Sequence, residues 1–188
     1  MEPLRTERII WTDQLRQELF SSILRVTNTV KWRKLKKLKI TAQTWNEIVK
    51  NFPQSINAEK ARIYWDTWMK TMLFSKETLH YSSMKLSILE FLLTMKPKKW
   101  SDINWVTVSK KLFPRISNKF VGTLFHSWVK YNVPEEQKCD INKVLNYLTK
   151  NCKEDLMEKI QTGRDKPVPK LSVRGKDKLI NLNKEKDD

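Results

Sequence analysis

Glycine is almost missing from this chain: three residues in 188. Gly-rich phosphate loops and tight two-residue hairpins, which need backbone at positive φ, are therefore not expected. Cysteine is scarcer still. Cys139 and Cys152 stand thirteen positions apart, form no CxxC pair, and are distant in sequence from His80 and His126. This pattern argues against a zinc site and predicts reduced thiols, as in a cytosolic or nuclear protein. No run of 18 apolar residues occurs, so no membrane span is expected. The opening MEPLRTERII lacks the long apolar core of a secretory signal. No Ser/His/Asp order with supporting turns, no metal-ligand cluster and no paired carboxylates in a pocket motif are found. The expectation is a non-enzyme with no cofactor and no small-molecule substrate.

What the chain has in excess is positive charge, 37 Lys and Arg against 21 Asp and Glu, a net +16. The excess is uneven: residues 1–39 carry a net +6, 40–84 a net +1, 85–134 a net +7 and 135–188 a net +2. Such a balance predicts a polyanionic partner or simply high solubility.

With no long alternating apolar pattern, the fold class read from the sequence is all-α. Thr12 can cap a first helix with Leu15, Leu19, Ile23 and Leu24 at helical spacing. A basic stretch follows, with Lys31, Arg33, Lys34, Lys36, Lys37 and Lys39, read as an insertion over 27–40. Thr44 and Glu47 fit a capping box for a helix bearing Trp45, Ile48, Val49 and Phe52, closed by Pro53. Asn57 can cap a third helix with the stripe Ala61, Tyr64, Trp65, Trp68, Met69 and Met72. The pattern then recurs. Ser83 can open a helix with Leu86, Leu89, Leu92 and Leu93, ending before Pro97. Asn104 can cap the next, with Trp105, Val108 and Leu112 inward. After Phe113-Pro114, Asn118 can cap a third, with Val121, Leu124, Phe125, Trp128 and Val129 inward.

A shift of 60 sets Trp45 on Trp105, Ile48 on Val108, Phe52 on Leu112, Ala61 on Val121, Trp65 on Phe125 and Trp68 on Trp128. Six core positions align without a gap, a stronger signal than any one of them. Beyond the second unit, Asp140 can cap one long helix with Ile141, Val144, Leu145, Leu148, Leu156 and Ile160, ended by Gly163. The organisation read is a unit over 9–76, a second over 82–134, a helical extension over 135–163 and a disordered tail over 164–188. In each unit two Trp-bearing helices meet at a short Pro-containing turn, a helix-turn-helix whose indoles supply core to a small domain. The outer face of the third helix is then open to a DNA major groove.

These aromatic positions resemble the Myb/SANT family, with Trp11, Trp45 and Trp65 in unit one and Trp105 and Phe125 in unit two. A closer resemblance covers roughly 30–160. Asp102-Ile103-Asn104-Trp105, Phe120-Val121 and Val133-Pro134 follow in the order of the C-terminal Myb-like region of RNA polymerase I transcription termination factors. The resemblance implies two tandem three-helix units and a nuclear or nucleolar protein. It implies binding to double-stranded DNA beyond the ribosomal RNA genes, as a roadblock to the polymerase. In the Myb arrangement the base-facing residues lie opposite the core stripe of the third helix. That implies Glu59, Arg62, Ile63, Asp66, Thr67 and Lys70 in unit one, and Lys119, Gly122, Thr123, His126, Ser127 and Lys130 in unit two. Lys110, Lys111 and Arg115 suit phosphates, and Lys31–Lys39 suits the DNA backbone or nuclear import.

Plainer readings stand beside these. Arg62 can pair with Glu59 or Asp66 on the surface, the basic run can be a solvated face, and His126 an ordinary surface group. The competing function is a SANT-like protein-interaction subunit with transcription or chromatin proteins as partners, which the acids Glu59 and Asp66 favour for unit one.

Overall fold

The structure is a computed structural model that describes residues 9–29, 31–75 and 78–170, apart from the side chains of Trp32 and Arg33. Every regular element among the described residues is helical; the one pairing of extended backbone is an isolated bridge between His80 and Pro167. No described helix is long and apolar enough to cross a membrane. Described residues 9–73 form one compact unit and Phe74–Pro169 another.

In the first unit, Thr12 accepts the Leu15 N–H at 3.2 Å and opens α1 (Asp13–Thr27). Leu19, Phe20 and Ile23 form its buried face. Asn28, in the left-handed region at φ 46°, stops it. The basic stretch is not a plain insertion: Trp32–Lys37 is a short helix, α2, that buries Leu35 and leaves Lys34, Lys36 and Lys37 outside. The next helix, α3 (Ala42–Val49), is capped by Thr41, which accepts the Thr44 N–H at 3.2 Å. The Thr44–Glu47 capping box is therefore displaced by a Thr one turn earlier. Trp45 and Ile48 are buried, while Val49 and Phe52 are only partly covered. Asn57 caps α4 (Ala58–Tyr64) through Lys60 N–H at 2.9 Å, as its residue type predicts. α3 packs on both α1 and α4. Across α1 and α4, Trp11 stacks on Tyr64 at 3.9 Å and 5°, and Arg16 Nε donates to the Tyr64 hydroxyl at 2.8 Å.

Past Tyr64 the helix widens. Trp65–Met69 is a π turn in which Lys70 N–H reaches back to Trp65 C=O, and α5 (Lys70–Phe74) continues from it. A π turn inserts one residue into the α repeat and rotates everything beyond it. Of the stripe drawn at 3.6-residue spacing, Ala61, Tyr64, Trp65, Met69 and Met72 are buried; within the π turn Thr67 also turns inward to 5 % exposure, while Trp68 is only half-buried.

The second unit is larger than 82–134. It contains α6 (Tyr81–Met95), α7 (Trp105–Leu112), α8 (Asn118–Asn132), α9 (Ile141–Asn151) and α10 (Lys153–Gln161). Met84, Ile88, Leu89 and Leu92 of α6 are buried, and α7, α8, α9 and α10 all pack against this helix. Residues 135–163 therefore belong to the unit's core instead of extending from it. The single long helix expected there is broken at Cys152 (φ −125°, ψ −20°). The break lets α10 fold back on α6 and bury Leu156.

The tail expected over 164–188 is also partly structured, and residues 171–188 lie outside the described residues. Asp165 accepts Ser82 N–H at 2.7 Å, Ser83 N–H at 2.9 Å and the Ser83 hydroxyl at 2.7 Å. Tyr81 N–H donates to Lys166 C=O at 3.0 Å, and Val168 is buried after donating its N–H to Leu79 C=O at 2.7 Å. Ser83 therefore does not open α6. The orphan N–H groups of its first turn are met by residues more than 80 positions away. Burial raises the Asp165 pKa, but the hydrogen bonds from Ser83 and Ser82 outweigh it and hold the carboxyl below its ordinary value.

A carboxylate with a lowered folded pKa contributes stability above the unfolded value of about 3.9 and loses it as pH falls through the folded one. Asp165→Ala is expected to cost the second unit about 0.5–2 kcal/mol at pH 7, the usual cost of an N-cap. In thermal melts, the gap to wild type should close as pH drops below about 4. A gap constant down to pH ~3 would show that the charge on Asp165 is not what caps α6.

Candidate nucleic-acid interface

The second unit's excess of cations lies in the stretch of chain that holds α7 and α8. Between Lys96 and Lys130 eight Lys and Arg face a single acid, Asp102, whereas residues 135–169 carry seven of each sign. Asp102 is turned to local use, accepting the Lys98 and Lys99 N–H groups at 3.0 and 3.1 Å. This leaves no acid along α7, the turn or α8.

Asn104 caps α7 through Val106 and Thr107 N–H at 3.0 and 3.2 Å. Val108 and Ser109 point inward, Lys110 and Lys111 outward in the last turn, where cations favour the helix dipole. Ser109 Oγ donates to Ile116 C=O at 2.6 Å and fixes the turn 113–117. Arg115 is exposed on that turn, beside a small cavity of about 180 Å³ lined also by Leu79, Leu112 and Pro114.

On α8, Phe120, Val121, Leu124, Phe125, Trp128 and Val129 form the buried face. Lys119, Thr123, His126 and Lys130 are exposed, and their spacing of four, three and four residues makes one stripe. Two residues expected beside them are not on it. Gly122 is buried because Trp105 lies over it; a Cβ there would stand 3.2 Å from the indole. Ser127 is half-buried. Gly122 is thus a packing position that lets α7 and α8 approach.

His126 has more structure around it than an ordinary surface group. Its ring lies 5.4 Å from the Trp100 ring and 5.4 Å from the Trp105 ring. Trp100 is anchored by its own Nε1–H, which donates to Lys138 C=O at 2.9 Å. Burial against these rings lowers the His126 pKa, which favours the neutral imidazole at pH 7. The sequence reading had no role for Trp100, Lys138 or Tyr131. Tyr131 is 65 % exposed, with the Lys130 ammonium 5.7 Å from its ring. The pair Trp100 and Trp105, five residues apart and preceded by Lys98-Lys99, was the available signal.

The matching face of the first unit is different in kind. Glu59 and Arg62 are exposed and Ile63 is 52 % exposed. Asp66 pairs with Lys70 at 2.7 Å, both half-buried, and the Lys70 ammonium also lies 5.8 Å from the Trp65 ring. Thr67, expected on this face, is buried by the π turn and cannot meet a base. Of the basic run, Lys31, Lys34, Lys36, Lys37 and Lys39 are exposed, and the Arg33 side chain lies outside the described residues.

Comparison of the chain with protein-family models, with curated proteins and with solved structures gave no match.

Proposed function

We propose that this chain binds duplex DNA through Myb-like helix-turn-helix units, with α8 of the second unit entering the major groove. The observation that carries this reading is the α8 stripe: Lys119, Thr123, His126 and Lys130 exposed on one face, within a stretch, residues 96–130, that holds one acid and eight cations. Lys110, Lys111 and Arg115 neutralise phosphates, which supplies affinity without sequence information. With the resemblance to polymerase I termination factors, the proposed role is a sequence-specific roadblock at a terminator in the nucleus. Slow dissociation would halt the polymerase.

A second reading applies to the first unit alone. Its third-helix face offers Ile63, Glu59, Arg62 and a Lys70–Asp66 pair already neutralised. That mixture suits a protein surface better than a phosphate backbone, as in SANT-like interaction modules.

Selection of bound duplexes from a random pool by the full chain tests the proposal. The expected result is one enriched motif. Failure to retain any duplex at ~50 mM salt, where phosphate contacts are strongest, would overturn it.

A further inference from the structure

The α8 stripe is cationic at its ends and uncharged in its middle. Lys119 and Lys130 are eleven residues apart, about 16 Å along a helix axis. The major groove is about 12 Å wide. When the two lysines reach phosphates on the groove walls, the side chains over base edges are Thr123 and His126. Thr123 has one short hydroxyl and a methyl, and tolerates either kind of base edge. His126 is the longer group, and its direction is fixed from two sides. Trp100 is held by its bond to Lys138 C=O, and Trp105 is seated on the Cβ-less Gly122. Side chains locked by packing keep their geometry when a ligand arrives, which is what discrimination between bases requires.

We infer that His126 is the residue that determines sequence preference, its imidazole N–H donating to a guanine in the major groove. Guanine is the base chosen because a single donor finds two adjacent acceptors there, N7 and O6, while adenine places a donor beside its N7. The neutral ring favoured by burial carries one such N–H and no charge to attract phosphates indiscriminately. Trp100 and Trp105 are positioning residues that act through His126. The inference rests on the duplex-binding reading and adds to it the residue and the base.

The test compares full-length wild type, His126→Ala and His126→Gln by selection from a random duplex pool, followed by titration of the selected site and of random-sequence duplex. Wild type should enrich a motif with one position fixed as guanine in contact with the middle of α8. His126→Ala should relax that position alone and bind the selected site roughly 5- to 150-fold more weakly, the fold-change for one good base contact. Its loss on random duplex should be smaller. His126→Gln should move the preference at the same position towards adenine, because an amide pairs with N6 and N7. A structural role for His126 would not produce that switch. Retention of the wild-type motif by both variants, or equal weakening on every sequence, overturns the inference while duplex binding stands. A wild-type chain that binds no duplex sinks both.

Discussion

Affinity for duplex DNA should fall by about 10³–10⁵ between ~50 and ~200 mM salt if the chain contacts six to ten phosphates. The structure divides this expectation between two groups of cations. On the second unit, Lys110, Lys111, Arg115, Lys119 and Lys130 are exposed. Five contacts give a log–log salt slope of about −4.5, short of the full range. The remainder has to come from Lys96, Lys98 and Lys99 of the same unit, also exposed, or from the first unit, where Lys31, Lys34, Lys36, Lys37 and Lys39 are exposed on and around α2. Replacing Lys34, Lys36 and Lys37 by Ala should therefore flatten the slope by about three if α2 lies on the backbone, and by nothing if it is a solvated face. Fluorescence anisotropy titrations across a salt series measure both. A wild-type slope near zero would mean that the net charge of +16 serves solubility and not nucleic acid.

Trp65→Ala should cost the first unit about 3–5 kcal/mol, the usual cost of truncating a large buried aromatic. Trp65 is 1 % exposed, and the unit has few other groups of its size in the core. Trp65→Phe should cost much less, for a reason specific to this site. The Trp65 Nε1–H is buried with no acceptor among the described residues, and an unmet donor carries a penalty of about 1–3 kcal/mol. Phe removes that donor together with part of the ring volume, so the two effects oppose. The shift of 60 already places a phenylalanine, Phe125, fully buried at the corresponding place in the second unit. Urea unfolding followed by signals from the first unit reads the difference. A loss for Trp65→Phe as large as the missing ring volume alone accounts for would show that the indole N–H is satisfied and that volume alone counts.

The helices were legible where their causes are local. Thr12, Asn57, Asn104 and Asp140 each cap the helix their residue type announces, and Lys96 ends α6 just before Pro97. The internal likeness also reaches further than the shift of 60. At a shift of 69, Leu19, Phe20 and Ile23 of α1 fall on Ile88, Leu89 and Leu92 of α6, all six buried. The basic stretch around α2 changes the offset and hid that correspondence. What escaped were features whose causes are distant or finely geometric. A π turn has no composition of its own, so the inward rotation of Thr67 could not be read from spacing. Gly122 looked like an empty place on an outer face because nothing in one helix tells which neighbour presses on it. The break at Cys152 lies in a run that is helical by pattern on both sides, and only the packing of α10 on α6 calls for it. On α8 the outer stripe was predicted almost whole, while the indole clamp on His126 depends on Trp100, which lies in a short 3₁₀ turn outside every apolar stripe.

The placement of Asp165 has a consequence for how the protein is made. A nascent chain emerging from the ribosome has all of α6, α7 and α8 outside the tunnel well before residue 165 is available. Throughout that interval the first turn of α6 depends on water for its N–H groups, and the loop to be closed spans 83 residues. The first unit needs nothing from so far downstream for the caps of α1, α3 and α4, each supplied within three residues. Synthesis therefore orders maturation: the first unit can settle while translation continues, and the domain carrying the α8 stripe is completed only once residue 165 has emerged.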